Sequence, residues 1–195
     1  MKKLKTISRI GIALSALLLI AAYFTPLWRI LMWAPQYPEW LGMKIWINNI
    51  TGDVNTINAL NHYIGMKHIR VEMFPEFKYL SFIVGFIILF GIMAAILNRR
   101  FMLYGYLALL FSAGIGALVD FYLWGYDYGH NLDPTAAISV PGMSYQPPLI
   151  GTKQLLNFTA FSGPDIGGWI FVTSAALTIV IVFYEFFSNR KTVPS

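Results

Sequence analysis

Four long apolar runs alternate with more polar segments along the chain. The runs cover residues 10–31, 80–97, 101–124 and 169–187. A helix needs roughly 18 to 20 apolar residues to cross a bilayer, and each run reaches that length. The pattern therefore predicts four transmembrane helices, with a short turn at 98–100 between the second and the third.

The first run starts behind a basic end, as a secretory signal peptide does. It continues past Tyr23 to Trp28 without an Ala-x-Ala cleavage site, and such a site is the mark of a peptide that is removed. We therefore predict that residues 1–31 form an uncleaved anchor that is also the first span.

Basic residues flank the apolar runs at three places, and residues of this kind mark the cytoplasmic side of a membrane. With four spans, the N-terminus, the turn at 98–100 and the tail at 188–195 all lie on that side. Segments 32–79 and 125–168 then lie outside, as in a multi-pass protein of the bacterial inner membrane. The flanking residues are Lys2, Lys3, Lys5, Arg9, Arg99, Arg100, Arg190 and Lys191.

The first outside segment shows short periodic patterns. Residues 43–48 and 67–73 alternate between apolar and polar positions, which is typical of strands. Asp53, between them, is a good helix N-cap. The helix that it begins has an apolar face formed by Ile57, Leu60 and Ile64.

The second outside segment, 125–168, is rich in Gly and Pro and predicts an ordered irregular loop. Neither outside segment has the low-complexity composition of a linker, so the two are expected to fold on each other. The predicted fold class is an all-α integral membrane protein with four transmembrane helices and a small extracytoplasmic cap, which is α+β or irregular.

Composition supports the membrane prediction and narrows the chemistry. The chain is 57% hydrophobic and only 12% charged, which is far more apolar than a soluble domain of this size. Its net charge of +5 comes from residues that flank spans, so nucleic-acid binding is not expected. Because the chain has no cysteine, disulfides, thiolate metal sites and covalently attached haem are excluded.

Two of the three histidines lie close together in the first outside segment. On the predicted helix, His62 is opposite the apolar face and Met66 follows one turn later. An imidazole and a thioether can both bind a soft ion such as Cu(I), although Gly65 is a natural helix stop before Met66. His68 falls on the polar face of the predicted strand, so the two histidines are expected to face differently. The alternative is that His62 hydrogen-bonds the backbone of the cap while Met66 fills a gap.

His130 follows the third span and could meet His62 if the outside segments pack together. The resulting hypothesis is a copper site made of His62, His130 and Met66, or of the two histidines with a carboxylate such as Asp127 or Asp133. The alternative places His130 in a turn rich in Asp and Asn at the lipid headgroups.

Two acids lie within the predicted spans, where an unpaired carboxylate is costly. Asp120 has the depth to form a structural ion pair with Arg29, and Glu185 is expected to reach the interface or to pair with Arg99, Arg100 or Arg190. The chain has no nucleophile elbow, phosphate loop or His-Glu-x-x-His pattern, so we do not expect it to be an enzyme.

Three stretches carry a resemblance to a known family: WAPQYPEWLGMKIW at 33–46, GDVNTINALNHYIGM at 52–66 and SVPGMSYQPPLIG at 139–151. They resemble a family of small four-span membrane proteins encoded beside nitrous-oxide reductase in second-clade bacterial gene clusters. The resemblance covers most of the chain but transfers no ligand or catalytic residue. It implies a part in nitrous-oxide respiration, a branch of denitrification.

The expected function is therefore that of an inner-membrane accessory protein, which helps to mature a periplasmic copper enzyme, nitrous-oxide reductase, or supplies it with copper. Its partners would be the lipid bilayer and a periplasmic or membrane protein complex. Two alternatives stay open. One is a quinol-interacting or electron-transfer membrane subunit, and the other is a scaffold that docks a partner through its cap.

Overall fold

The computed structural model describes residues 3–155 and 157–190. It contains five α-helices, four of them long. The helices are α1 (Thr6–Leu18), α2 (Val54–Tyr63), α3 (Phe77–Leu97), α4 (Arg100–His130) and α5 (Ile166–Arg190).

Four helical segments are long and apolar enough to cross a membrane. They are α1 with the 3-10 turn that continues it to Tyr23, α3, α4, and α5 as far as Ser188. Large apolar side chains cover their outer surfaces, as lipid contact requires; Phe82, for example, is 78% exposed and Val180 is 62% exposed. The four predicted helices are thus confirmed, with different ends.

Three chain segments meet at one end of this four-helix bundle. The backbone N–H of Leu4 donates to Asn98 Oδ1 at 2.8 Å, and the backbone N–H of Lys5 donates to Glu185 Oε1 at 2.8 Å. Asn98 reverses the chain between α3 and α4 with a φ of 54°. Of the predicted tail at 188–195, residues 188–190 continue α5, while residues 191–195, like residues 1 and 2, lie outside the described residues.

A five-stranded antiparallel sheet lies at the opposite end of the bundle, in the order β3-β2-β1-β5-β4. The all-α part of the expected fold class therefore holds for the bundle alone, and the cap, expected to be α+β or irregular, contains a complete sheet. The strands are β1 (Trp28–Trp33), β2 (Leu41–Ile45), β3 (Ile50–Gly52), β4 (Gly151–Leu155) and β5 (Phe158–Pro164).

The central strand β1 comes from residues that the apolar pattern assigned to the first span. Helical structure ends at Tyr23, and Pro26 then follows, which removes a backbone donor and disfavours helix in the residue before it. β1 pairs with β2 on one side and with β5 on the other. A fully buried strand and a buried helix are both continuous apolar runs, so the pattern alone does not separate them.

Two other predictions for the outside segments were wrong. Residues 151–164 form the β4–β5 hairpin rather than an irregular loop. Residues 67–70 are extended without strand pairing, and Val71–Met73 is a 3-10 turn. The backbone of Ile69 is hydrogen-bonded to the side chain of Asn58 instead of to a neighbouring strand. The Asn58 amide N–H donates to Ile69 O at 2.9 Å, and its oxygen accepts from Ile69 N at 2.7 Å.

We use "the cap" for the sheet, α2, the segment 64–76 that follows it, residues 121–130 of α4 and residues 131–150. With 31 residues, α4 is about 46 Å long, which is longer than a hydrocarbon layer of about 30 Å, and its last turns lie in the cap. There Trp124 and Tyr128 pack with Phe74. The buried core of the cap comprises Ile30, Leu41, Met43, Ile57, Ile69, Phe74 and Tyr128.

Candidate functional site in the cap

A cavity of about 70 Å³ lies inside the cap, between the sheet, α2 and the end of α4. Its walls are almost entirely apolar. The lining residues are Ile30, Met32, Met43, Ile57, Leu60, Asn61, Ile64, Met66, Ile69, Trp124, Tyr128, Tyr145, Pro147, Leu155, Phe158 and Ala160.

Three methionines from three separate elements line this cavity. Met43 in β2 lies opposite Ile30 of β1 in the ladder, and Met32 lies two residues further along β1. Side chains two residues apart on a strand share a face, so Met32 and Met43 are diagonal neighbours on the inner face of the sheet. Met66 comes from the turn after α2, where Gly65 has a φ of +77° and the Met66 N–H donates to Asn61 O at 2.9 Å.

Sequence reasoning named Met66 but missed Met32 and Met43. The available signal was the alternation of Ile30 and Met32 with Arg29 and Leu31, which is hidden when the run is interpreted as a membrane helix. Met43 had been assigned correctly to a strand region, but the partner strand was not known.

Two residues of the cavity wall carry a buried side-chain atom without a hydrogen-bond partner at normal geometry within the described residues: Trp124 Nε1, which still interacts with the side chain of Tyr128, and Tyr145 Oη. Tyr145 is only 4% exposed, and a buried polar group left unpaired costs about 1 to 3 kcal/mol. The third such atom in the described chain, Arg100 Nε, is in the bundle. The cavity wall therefore combines soft sulfur atoms with the hydroxyl of Tyr145, which has no partner among the described residues.

Glycine allows the loop that carries Tyr145 to approach α4 closely. A Cβ at Gly129 would lie 2.4 Å from the backbone nitrogen of Gln146, so any side chain there would push the loop away. With glycine in place, the Tyr145 N–H donates to Gly129 O at 2.9 Å. This contact holds Tyr145 against the cavity.

The rings of His62 and His68 meet on the outside of the same wall, with their centroids 6.2 Å apart. The expectation that they face differently was wrong. After the turn at Gly65 the chain runs back beside α2, and Asn58 clamps it there through Ile69. This arrangement places His68 beside His62.

His130 is the last residue of α4, and its ring stacks on Tyr126 with a centroid separation of 4.0 Å. Its Nδ1 is 3.0 Å from Tyr126 O. Residues 3–155 and 157–190 contain no group of three or more His, Asp or Glu side chains that could hold a metal. The site of His62, His130 and Met66 stays a prediction, since its ligand set relies on a thioether.

Arg29 and Asp120 are not joined by a salt bridge in the described structure. The salt bridges there are Lys67–Asp127 at 2.6 Å and Arg100–Glu185 at 2.9 Å, the second being a pairing that the sequence predicted. The guanidinium of Arg29 lies over the Phe161 ring, 5.6 Å from its centroid. Burial raises the pKa of Glu76, and the negative charge of Asp120 raises it further.

The geometry defines a class of protein: four candidate membrane helices with a β-sheet cap that encloses a methionine-lined cavity. No protein-family model and no curated protein matches this chain. The size of the cavity and the atoms that line it therefore limit the ligands that the site can bind. A cavity of about 70 Å³ is about half the size that accommodates benzene, which is about 150 Å³, so it suits an ion better than an aromatic ring.

Proposed function

We propose that this chain is an integral membrane protein of the bacterial inner membrane, with both termini in the cytoplasm and the cap outside. Lys5, Arg9, Arg99 and Arg100 lie at the bundle end opposite the sheet, and basic residues stay on the cytoplasmic side. The lipid-facing apolar side chains of the four helices support the same arrangement.

We further propose that the cap binds Cu(I) through the thioethers of Met32, Met43 and Met66. The observation that carries this proposal is their convergence on one cavity from β1, β2 and the turn after α2. Thioethers are soft, uncharged ligands that select Cu(I) over harder ions. An apolar cavity adds protection, because it limits the access of water to the ion.

The role that follows is that of an accessory protein without enzymatic activity, which holds copper for a copper enzyme outside the membrane. The family resemblance suggests nitrous-oxide reductase as that enzyme. Met66 was one of the copper ligands expected from the sequence and is a proposed ligand here. Met32 and Met43 are proposed as the other two ligands, instead of His62 and His130.

One alternative function also has a specific observation in its favour. In α4, residues 111–123 include no buried side chain, and a Cβ at Gly114 or Gly116 would meet nothing within 4 Å. Small residues on membrane helices favour close helix packing. A scaffold that docks a partner helix at this surface is the second candidate. The quinol alternative gains less support, since a quinone ring exceeds the cavity unless the cavity opens.

The copper proposal can be tested with the purified full-length protein in detergent. Cu(I) affinity is measured by competition with a coloured Cu(I) chelator under anaerobic, reducing conditions. The variant Met32→Leu/Met43→Leu/Met66→Leu should bind Cu(I) at least tenfold more weakly. Leu and Met have similar volumes, so each swap should cost less than about 1.5 kcal/mol of stability.

The chain offers a matched control with the same three chemical changes elsewhere. Met93 is 44% exposed, Met102 is buried in the bundle and Met143 is 37% exposed; none of them lines the cavity. The variant Met93→Leu/Met102→Leu/Met143→Leu should keep the full affinity. Equal Cu(I) affinity in both triple variants would overturn the proposal.

A further inference from the structure

We propose that His62 and His68 form a second metal site, a two-imidazole site for a divalent transition-metal ion, with Cu²⁺ preferred over Ni²⁺ and Zn²⁺. It is separate from the methionine cavity and independent of the Cu(I) proposal. Imidazole nitrogen suits these divalent ions, and Cu²⁺ heads the usual order of affinities.

The ring geometry fits two imidazoles on one ion. Metal–nitrogen bonds of about 2.0 to 2.1 Å put the centres of two rings on a shared ion about 5 to 6.5 Å apart. The centroids of His62 and His68 are 6.2 Å apart, with an angle of 71° between the ring planes. Small side-chain rotations are therefore sufficient to direct one nitrogen of each ring at the same point.

The backbone under both rings is held firmly. His62 lies in the last turn of α2, and His68 directly precedes Ile69, whose N–H and C=O are both bonded to the Asn58 side chain. Tyr128 adds a hydrogen bond to His68 O at 3.2 Å. A site whose ligands are already in place loses less conformational entropy when the ion binds.

Both rings are also available to a ligand. His62 and His68 are exposed, and neither imidazole forms a hydrogen bond within the described part of the chain. His130 differs, because its ring is stacked on Tyr126 and its Nδ1 lies at hydrogen-bond distance from the backbone. The ring nitrogens of His62 and His68 are therefore free of hydrogen bonds to the described residues, whereas the ring of His130 contacts its own helix.

One carboxylate lies beside the pair, and two cationic residues, Lys67 and Arg70, flank His68 in sequence. Asp133 is docked beside the pair, since its N–H donates to Gly65 O at 2.8 Å. The carboxylate of Asp133 accepts hydrogen bonds from the backbone N–H and the hydroxyl of Thr135. Lys67, the nearest cation in sequence, is neutralised by Asp127. The remaining coordination positions of the ion would be filled by water.

The pair and the cavity occupy opposite faces of one wall. Asn61, Met66 and Ile69 line the cavity, while His62 and His68 project from the outer side. Imidazoles outside and thioethers inside give the two sites different preferences in metal oxidation state, so each can be measured separately.

The experiment uses full-length protein with a tag that contains no histidine, freed of metal and titrated with Cu²⁺, Ni²⁺ or Zn²⁺ alone. Electron paramagnetic resonance of the Cu²⁺ form should show two coordinated imidazole nitrogens. His62→Gln and His68→Gln should each weaken Cu²⁺ binding at least tenfold and leave one such nitrogen. His130→Gln, the matched control, should stay within twofold of the unchanged protein.

Unchanged Cu²⁺ affinity in His62→Gln or His68→Gln, or an equal loss in His130→Gln, would overturn this proposal. The methionine triple variant separates it from the Cu(I) proposal. That variant should retain the two-nitrogen Cu²⁺ signal, and the histidine variants should retain Cu(I) binding. Loss of the signal in the methionine variant would contradict the independence of the two sites.

Discussion

The bundle and the cap both bury polar side chains, but the two regions differ in how completely these side chains are hydrogen-bonded. In the bundle, Ser15 hydrogen-bonds Ser174 at 2.8 Å, Thr178 at 3.0 Å and Tyr106 at 3.2 Å, and all four residues are fully buried. In the cap cavity, the side-chain hydroxyl of Tyr145 has no partner in the described structure.

A second polar layer in the bundle is similarly connected. The carboxylate of Glu185 accepts from Ser8 Oγ at 2.6 Å and from the guanidinium of Arg100 at 2.9 Å. Ser8 and Ser15 are seven residues apart, as are Thr178 and Glu185, so two helical turns, about 10.5 Å, separate the layers. Apolar Ile12 lies between the layers, which favours a role in helix packing over a path for ions or protons.

The difference teaches how to tell a structural polar cluster from a candidate binding site. Hydrogen bonds that satisfy one another hold helices together in an apolar medium. A donor that is buried without an acceptor costs free energy, and a water that enters the cavity and supplies the acceptor recovers it. Three predictions test this contrast, beginning with the largest effect.

Glu185→Ala should destabilise the protein by about 3 to 5 kcal/mol, because it leaves the Arg100 guanidinium without its partner in the bundle. Glu185 is 1% exposed, so water cannot easily replace the carboxylate. The measurement is the thermal midpoint of unfolding in detergent. Glu72→Ala, which removes an exposed carboxylate, is the control and should have little effect. A shift in Glu185→Ala no larger than in this control would contradict the structural role of the layer.

Two tyrosines allow the same atom to be deleted from each region. Tyr106→Phe removes a hydroxyl that bonds Ser15 and Ser174, and should cost about 1 kcal/mol. Tyr145→Phe removes a hydroxyl without a partner, so it should be neutral or slightly stabilising. Both variants are compared by thermal unfolding in the absence of added ligand. If Tyr145→Phe costs as much as Tyr106→Phe, the contrast between the regions does not hold.

The smallest expected effect is the pH dependence of the turn at Asp133. Hydrogen bonds from Thr135, with a smaller contribution from His62, lower the pKa of the Asp133 carboxyl. A carboxyl whose pKa is lower in the folded state stabilises the fold above its unfolded pKa, about 3.9, and this stabilisation is lost as the pH falls through the folded pKa.

Asp133→Asn should therefore unfold slightly below the unchanged protein at neutral pH, by less than about 2 °C because the group is at the surface. The difference should shrink towards zero as the pH is lowered past 3.9. A difference that grows on acidification would contradict the sign of this shift.

The sequence was a good guide to the bundle, where hydropathy decides structure. Helices α3, α4 and α5 begin and end within a few residues of the predicted apolar runs, apart from the end of α4, which extends to His130 rather than 124. That extension could not be seen from hydropathy, because residues 125–130 leave the apolar run and are held as helix by packing in the cap. The Arg100–Glu185 pair was among the pairings that charge and depth suggested.

The candidate site was much less predictable. Met66 and His62 were singled out because they are close in sequence, whereas Met32 and Met43 reach the cavity through strand pairing between residues 28–33 and 41–45. His68 was set aside because residues 67–73 alternate as a strand does. In the structure, the side chain of Asn58 forms the hydrogen bonds to the backbone of Ile69 that a neighbouring strand would have formed. A single side chain with this role leaves no periodic pattern in the sequence.

By itself, the sequence determined that four apolar helices form, that the basic residues flanking the apolar runs, such as Lys5 and Arg99, lie at one end and that chemistry depends on His, Met and oxygen ligands in a chain without cysteine. These are local properties of composition and hydropathy. Tertiary structure alone decided that residues 28–33 form the central strand of a sheet, that three methionines share a cavity and that His62 meets His68. Each of these depends on contacts between residues that are distant in sequence or follow a reversal of the chain, and no local pattern records such contacts.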